Sequence, residues 1–297
     1  METFSRALAI DPHFSEARRA HAFYLVIHLL NGYTNDATQL YRAEDELRQV
    51  AAEAPNLVTL PVTQTALYVV LGRKELVPLA KLDQSLTANP RINQSRLWRG
   101  ILYVLAEQNK EAKDLFDGLL KQEPTLGAPR QLLGEVLRSE GDLEGAIRAE
   151  QRVLEQAPGN ITATWILSTT YLDQGNPAAA RALLEAKRPL FPGNYFWKQC
   201  WALLLAAEGK RDEALQAMDE GTLRFADVMF WATTTTADFY ALLGDQSKAL
   251  DWVEKAIRNG DERINYFQRD PRLAPIRNDP RFQSIIRSVE ARRVKGR

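Results

Sequence analysis

Residues 127–160 read GAPRQLLGEVLRSEGDLEGAIRAEQRVLEQAPGN, and this stretch decides the fold. Apolar residues recur in it at helical spacing, in one run before Gly141 and in a second run after it. These residues are Leu132, Leu133, Val136, Leu137, Leu143, Ala146, Ile147, Val153 and Leu154. Gly141 supplies a turn in the left-handed region, and Pro158 stops the second helix. The stretch therefore predicts two short antiparallel helices with a shared apolar side.

The same unit recurs along the chain at a fixed period. Successive end-of-unit prolines lie 35, 34, 34 and 34 residues apart, at Pro55, Pro90, Pro124, Pro158 and Pro192. Small residues repeat every 34 or 35 residues in a second register, at Ala43, Pro78, Ala112, Ala146, Ala180, Ala214 and Ala249. Glycines form a third register, at Gly141, Gly175, Gly209 and Gly244. Three registers with one period indicate a stacked array, because one helix pair cannot bury both of its faces alone.

These units resemble the tetratricopeptide repeat family, whose pattern is an aromatic, then Leu-Gly, Tyr, Ala, an aromatic and Pro. The matching residues are Gly100, Tyr103, Ala112, Phe116, Pro124, Leu133, Gly134, Ala146, Pro158, Tyr171, Ala180 and Pro192. Arg96 and Arg130 stand where the family has its first aromatic residue. The resemblance implies an all-α, right-handed superhelical solenoid of helix-turn-helix repeats with a C-terminal capping helix. We expect such an array to be extended rather than globular.

The period divides the chain into three parts. We expect a half repeat over residues 1–12, an array of about seven units over 13–260, and a C-terminal cap with a basic tail over 261–297. The expected units are 13–57, 58–92, 93–126, 127–160, 161–194, 195–229 and 230–260. The first unit is longer than the others, since Pro12 and Pro55 are 43 residues apart. We expect the excess, around Asn31 to Gln39, to form a longer first helix or an enlarged loop.

Both ends depart from the repeat. If Pro12 ends a unit, then Met1 falls inside a unit whose first helix is missing, and Phe4, Ala7 and Leu8 form an apolar face without a partner. Two explanations remain open. The chain is the C-terminal portion of a longer protein, or Met1 is the native start and the half repeat is a minimal cap.

The C-terminal end begins a helix at Asp279-Pro280, an N-cap followed by proline at the first helical position. Phe282, Ile285, Ile286 and Val289 then line one face. This end resembles the closing segment of tetratricopeptide arrays in bacterial multidomain regulators, namely winged-helix transcription factors, serine/threonine kinases and nucleotide cyclases. The resemblance implies a missing output domain upstream and makes this chain its regulatory or docking arm. We expect the basic tail, with Arg287, Arg292, Arg293, Lys295 and Arg297, to be a frayed, soluble end.

Composition and motifs argue against catalysis and against nucleic acid as a partner. The chain has 38 basic and 38 acidic residues, so no overall field attracts nucleic acid. The patterns GxGxxG, GxxxxGK[ST], HExxH, HRD, DFG and GxSxG do not occur, so we expect no enzyme and no cofactor. The apolar stretch from Ala22 to Leu30 is too short to span a bilayer. A single cysteine, Cys200, fits a reducing compartment, and we expect a cytoplasmic location.

Several reactive side chains have structural explanations. His21 and His28 are seven residues apart, roughly 10 Å along a helix and too far to share one metal ion. Cys200 lies in an apolar first helix and is interpreted as a buried small hydrophobe. Paired carboxylates, such as Asp45 with Glu46, are expected on solvated outer faces.

The family resemblance places positions of the first helices on a concave groove between residues 128 and 242. Those positions hold Gln131, Glu135, Arg138, Trp165, Thr169, Leu172, Phe196, Gln199, Trp231, Thr234 and Asp238. Aromatics beside amides, hydroxyls and charges favour recognition of a protein or peptide. The Lys and Asn pairs that clamp a terminal carboxylate in some relatives are not at these positions. Two alternatives stay open: Trp165 and Trp231 fill the core between repeats, or the chain is a structural or oligomerising spacer without a specific ligand.

Overall fold

The structure is a computed structural model that describes residues 2–88 and 93–295, and these residues form helices with no β-strand. In chain order the α-helices are α1 Glu2–Ile10, α2 Ser15–Leu30, α3 Thr38–Glu53, α4 Leu60–Val70, α5 Leu79–Ala88, α6 Asn93–Leu105, α7 Asn109–Gln122, α8 Gly127–Glu140, α9 Leu143–Gln156, α10 Ile161–Asp173, α11 Pro177–Lys187, α12 Tyr195–Ala207, α13 Arg211–Ala217, α14 Glu220–Val228, α15 Phe230–Leu242, α16 Gln246–Arg258, α17 Ile264–Arg269 and α18 Pro280–Lys295. Short 3₁₀ turns occupy Lys74–Leu76, Arg188–Leu190 and Pro271–Ile276. The predicted all-α solenoid of helix pairs is confirmed.

The small residues of the second register lie where paired helices cross. The six alanines of that register, Ala43, Ala112, Ala146, Ala180, Ala214 and Ala249, have no exposed surface. The crossing is close enough to require glycine on the first helix of two units. A Cβ atom at Gly100 would lie 2.3 Å from the Phe116 ring, and one at Gly134 would lie 2.1 Å from a carboxyl oxygen of Glu150. Pro90 of the proline register lies outside the described residues.

Two units depart from the common helix pair. In the first unit both expected sources of the extra length occur, because α2 and α3 have 16 residues each and a loop separates them. In the sixth unit the second helix is divided into α13 and α14. Asp219 begins α14 as its N-cap, and its side chain accepts a hydrogen bond from the Thr222 amide at 2.8 Å.

The turns of the first two units touch the fifth, sixth and seventh units. The carbonyl of Gly32 accepts a hydrogen bond of 2.9 Å from the Tyr195 amide, and the Asn194 side chain donates to the Asn31 carbonyl at 2.8 Å. A Cβ atom on Gly72 would lie 2.4 Å from the Asn259 carbonyl oxygen. The array therefore bends until its early turns pack against its late ones.

One apolar core spans this closed arrangement. It joins residues of α2, α4 and α6 to residues of α10, α12 and α15 in a single cluster. The accessible surface is 13637 Å², against about 12,700 Å² for a compact protein of this mass. The area lies slightly above the compact value, and the expectation of an extended array stays a prediction.

The C-terminal helix extends into the basic tail. α18 continues to Lys295, and its residue Arg292 lies 3.7 Å from the carboxylate of Glu262. The expected fraying of the tail stays a prediction. Arg297 and the side chains of Arg293 and Lys295 lie outside the described residues.

Candidate binding surface on the inner face

The predicted groove residues all lie on α8, α10, α12 and α15, the first helices of units four to seven. We call the side of these helices that faces the centre of the array the inner face. Ten of the eleven predicted residues are buried, and Leu172 is half-buried. In this conformation they form three groups with different surroundings: aromatic, uncharged polar and charged.

The aromatic group belongs to the apolar core. The rings of Trp165 and Phe196 are 5.3 Å apart, and those of Trp165 and Trp231 are 6.3 Å apart. All three side chains lie in the cluster that includes α2 and α4. Trp165 and Trp231 therefore fill core in the described conformation, and they do not line an open channel.

The uncharged polar group links neighbouring units. Gln131 donates to the side chain of Asn160 at 2.7 Å, and Asn160 in turn caps α10 by accepting from the Ala163 amide. Gln199 of α12 donates to the Ala232 carbonyl and to the Thr236 hydroxyl on α15. Thr169 donates to backbone carbonyls of its own helix. These contacts align adjacent first helices.

The charged group belongs to a buried ion-pair network. Arg138 forms two hydrogen bonds with Glu135, at 3.0 and 3.1 Å, and a third with Asp173 at 2.8 Å. Asp238 lies further along the inner face on α15 and is 1% exposed. The remaining members come from beyond the array, from a stretch that we call the closing segment, residues 261–277.

Two arginines of the closing segment reach the inner face. Arg263 donates to Glu135 at 3.2 Å, and Arg272 lies 3.4 Å from both Asp173 and Asp238. The Tyr266 ring lies beneath the guanidinium groups of Arg263 and Arg138, at 4.5 and 5.4 Å from its centroid. The segment therefore touches units four, five and seven through side chains.

Each of these arginines is oriented by an aspartate two residues before it. Asp261 accepts from the backbone amide of Arg263 and forms two hydrogen bonds with its guanidinium group, at 2.8 and 2.7 Å. Asp270 does the same for Arg272, at 3.0 and 2.6 Å. The two Asp-X-Arg elements thus have the same local structure, which fixes a flexible side chain before it meets the inner face.

The carboxyl groups of the network differ in the direction of their pKa shift, because burial raises the pKa and neighbouring arginines lower it. Burial raises the pKa of Asp238 well above its usual value, and Asp270 and Asp173 add to the effect against the attraction of Arg272. Burial opposes ionisation of Asp270 as well, but Arg272 and Arg138 outweigh it and lower the pKa of that carboxyl to about 2. The pKa of Asp261 is also lowered, since its pairing with Arg263 outweighs burial. Of these three carboxyl groups, Asp238 is therefore the one that keeps its proton.

The network contains polar atoms without a hydrogen-bond partner. Within residues 2–88 and 93–295, both carboxyl oxygens of Asp238, Oδ1 of Asp173 and one terminal nitrogen of Arg272 make no hydrogen bond. Two cavities flank Tyr266, of about 60 and 210 Å³, and Arg269 lines both. The closing segment thus fills the inner face without satisfying all of its polar groups.

A strained turn supports the closing segment from the third unit. Glu107 has φ +57°, the one positive φ of a non-glycine residue in the described part of the chain. It occupies the turn position that holds glycine in other units, 34 residues before Gly141. Its carboxylate accepts hydrogen bonds from the amides of Asn265 and Tyr266, at 2.7 and 3.2 Å, at the start of α17. The cost of the left-handed conformation is offset by this cap.

The sequence of the closing segment has a repeat of its own, which differs from the 34-residue period. Asp-X-Arg recurs every nine residues, at 261–263, 270–272 and 279–281. The apolar residues after each arginine follow the same spacing and are all buried, namely Ile264, Phe267, Leu273, Ile276, Phe282 and Ile285. A search for a second period would have found Arg263 and Arg272. Asp173 and Glu107 have no comparable signal.

Two other reactive residues, Cys200 and Glu46, are buried. Cys200 is buried as predicted, and burial raises the pKa of its thiol to about 12. The prediction that Glu46 is a solvated carboxylate is wrong, because it is buried and lies 2.9 Å from Nδ1 of His21. Within the described ranges no cluster of three or more His, Cys, Asp or Glu side chains could hold a metal ion. No helix there has the length and apolar character needed to cross a membrane.

Comparison with known proteins supports the resemblance of the repeat units to tetratricopeptide repeats. The tetratricopeptide repeat family model matches residues 137–198, from the end of α8 to the start of α12. No curated protein sequence matches the chain.

Solved structures of similar shape are helix-pair solenoids. The Cut9–Hcn1 hetero-tetramer of the APC/C aligns with a TM-score of 0.65 at 14% identity over 97% of this chain and 58% of that chain. A tetratricopeptide repeat protein from Parabacteroides merdae ATCC 43184 aligns with a TM-score of 0.52 at 14% identity, over 91% of this chain and 99% of its own. The human IFIT1 dimer with PPP-AAAA aligns with a TM-score of 0.60 at 15% identity, over 86% of this chain and 67% of its own. At this identity the likeness is one of fold. This chain spans 58% of the length of the Cut9–Hcn1 match.

Proposed function

We propose that this chain is a non-catalytic scaffold that binds a protein or peptide segment on its inner face. The observation that carries the proposal is the closing segment, because Arg263, Tyr266 and Arg272, which lie outside the repeat, already contact side chains of that face. They are held by side chains of four units, from Glu107 in the third to Asp238 in the seventh. A surface that holds one irregular segment through side chains has the chemistry to hold another.

The polar and charged residues of the inner face are the proposed recognition surface. Glu135, Arg138, Thr234 and Asp238 contact the closing segment, and Gln131 lies one helical turn before Glu135 on α8. The aromatic residues are further inside the core and support the helices that carry them. A ligand therefore meets the charged group first, after the closing segment has moved.

We further propose that the chain is the C-terminal regulatory or docking arm of a larger bacterial signalling or transcription regulator in the cytoplasm. The resemblance of its C-terminal end to the closing segments of such proteins supports this context. Sequencing the genomic DNA upstream of the Met1 codon tests it. An open reading frame for a catalytic or winged-helix domain supports the proposal, and a stop codon in frame contradicts it.

Photo-crosslinking from two exposed positions tests the site without disturbing the buried network. A photoreactive residue replaces Glu140, which lies at the end of α8 and lines the cavity beside Tyr266, or Arg148, on the outer side of α9. Each variant is incubated with bacterial lysate and irradiated, and crosslinked proteins are identified by mass spectrometry. We expect a specific partner from position 140 and none from position 148.

The opposite pattern would place binding on the outer surface. Crosslinks from neither position, together with self-association in analytical ultracentrifugation, would favour an oligomerising spacer. Wild-type helicity and melting temperature of both variants are the control, and both positions are exposed, so we expect neither value to change.

A further inference from the structure

The closing segment contacts the inner face in the manner of a bound peptide. It does not continue the 34-residue pattern, and its own nine-residue pattern alternates Asp-X-Arg with buried apolar residues. It is linked to α16 through Gly260, which has φ +89°. Its apolar residues Phe267, Leu273 and Ile276 enter the core beside α15 and α16. Recognition thus combines two arginines with regularly spaced apolar anchors.

The charge of the inner face determines which ligand it fits. Beneath the closing segment lie the carboxylates of Glu135 and Asp173, the carboxyl group of Asp238, which holds a proton, and one guanidinium group, Arg138. With the segment docked, the side chains of Glu135 and Asp173 are buried, where an unpaired negative charge is costly. Arg263 and Arg272 bring two guanidinium groups to this surface, each paired with its own aspartate. A cationic side chain with a planar fork of donors is therefore the matching ligand group.

The ligand's own aspartates are part of the match. Asp261 and Asp270 hold their arginines in one rotamer, so less side-chain freedom is lost on binding. An arginine without the preceding aspartate would lack this orientation. The recognised element is thus Asp-X-Arg followed directly by an apolar residue, with a second apolar residue three positions later.

The intramolecular segment is an imperfect ligand. Arg272 lies 3.4 Å from Asp173 and from Asp238, and no hydrogen bond joins it to either of them. Atoms left without a partner in this part of the described chain lower the stability of the docked state. Two cavities, both lined by Tyr266 and Arg269, leave the segment incompletely packed against the array. A segment from another molecule that pairs better with these carboxyl groups could take its place.

We propose that the inner face recognises Asp-X-Arg segments, that the closing segment is its intramolecular ligand, and that a partner protein carrying such a segment binds by displacing it. The partner is a chain with Asp-X-Arg followed by an apolar residue, in an exposed and flexible region. This proposal rests on the proposed function, since it names the chemistry of the partner for the same surface. The closing segment then limits binding to partners that can compete with it.

A synthetic peptide tests the proposal. The fluorescent peptide DERINYFQRDPRLAPIRN, residues 261–278, is titrated against the full chain and followed by anisotropy. A control peptide has glutamine in place of both arginines. The full chain with Arg263→Gln and Arg272→Gln is compared with the wild type. We expect this variant to bind the arginine peptide at least about tenfold more tightly, because the apparent Kd falls as the open fraction rises. The control peptide should bind at least about tenfold more weakly.

If the double variant does not fold, hydrogen exchange on the wild type tests the proposal instead. The chain is labelled with ¹⁵N, so its fragments differ in mass from the unlabelled peptide. Saturating peptide should raise deuterium uptake in residues 261–277 and leave α15 and α16 unchanged. Absence of binding to the wild type and to any folded variant, or binding without increased uptake, would overturn the proposal.

The two proposals can fail separately. A crosslinked partner at position 140 together with no peptide binding would overturn Asp-X-Arg recognition and leave the inner face as a binding surface. Peptide binding with release of the closing segment, but no crosslinked partner, would support the recognition and contradict a cellular scaffold role.

Discussion

Replacing Asp238 by asparagine should remove a pH-dependent loss of stability. Burial raises the pKa of Asp238 well above its usual value, so the folded state keeps a proton that the unfolded state loses above about pH 3.9. The stability is therefore fully present below that pH and falls as the pH rises, until the pKa of the folded state is reached. The slope in this interval is about 1.4 kcal/mol per pH unit for one proton.

The neighbouring carboxyl groups do not obscure this effect between pH 5 and 6. The pKa values of Asp261 and Asp270 are lowered, so their contributions are present above the unfolded pKa and are lost only in more acidic solution. Burial raises the pKa of Glu150 too, but Glu150 is present in both proteins and cancels in the comparison. The difference between wild type and Asp238→Asn therefore reports one group.

The measurement is urea unfolding followed by far-ultraviolet circular dichroism at pH 5.0, 5.5 and 6.0. From pH 5 to 6 the wild type should lose more stability than the variant, by at most about 1.4 kcal/mol, the full slope for one proton. Asp212→Asn, which removes an exposed carboxyl group at the start of α13, is the control. Parallel curves with a variant that is less stable at every pH would refute the reasoning, because they would mean that Asp238 is ionised and paired with Arg272.

Three further predictions concern local packing. Cys200, with its pKa raised to about 12 by burial, should react with Ellman's reagent only on unfolding; rapid reaction of the native chain would show an opening at α12. Ala146→Leu, at a fully buried helix crossing, should lower the free energy of unfolding by about 1–3 kcal/mol in urea titrations, whereas the exposed Arg148→Ala should change it by less than about 0.5 kcal/mol. Glu107→Gly should relieve about 1 kcal/mol of backbone strain. It should also increase hydrogen exchange at Asn265 and Tyr266, because their amides lose their acceptor. Unchanged exchange there would contradict the capping role.

The helix pairs could be predicted because each mark of the repeat has a local steric cause. A small residue at the crossing, as at Ala146, and a glycine at the turn, as at Gly141, act within one unit, so the period alone locates them. The closure of the array could not be predicted in this way. It depends on small rotations between successive units that add up over the chain, and no single residue encodes that sum.

The environment of the predicted groove residues differs from the expectation, and their role in binding stays a prediction. Glu135, Arg138 and Asp238 lie on the side of the first helices that the family resemblance implies, but they are buried there. Their burial comes from the closing segment, which lies outside the 34-residue period and follows its own nine-residue pattern. Glu107 was hidden for another reason: glycine is the residue that a left-handed turn favours, so a glutamate there gave no turn signal.

The contact between Gly32 and Tyr195 has a consequence for how this chain acquires its structure. An open array is nearly one-dimensional, so its units can form and fray one after another from either end. Here a hydrogen bond joins residues 163 positions apart in sequence. Contacts of such high sequence separation raise the contact order and slow folding, since a long loop must close before they are gained. We expect the described units to unfold in one cooperative transition, in which loss of the first unit weakens the sixth.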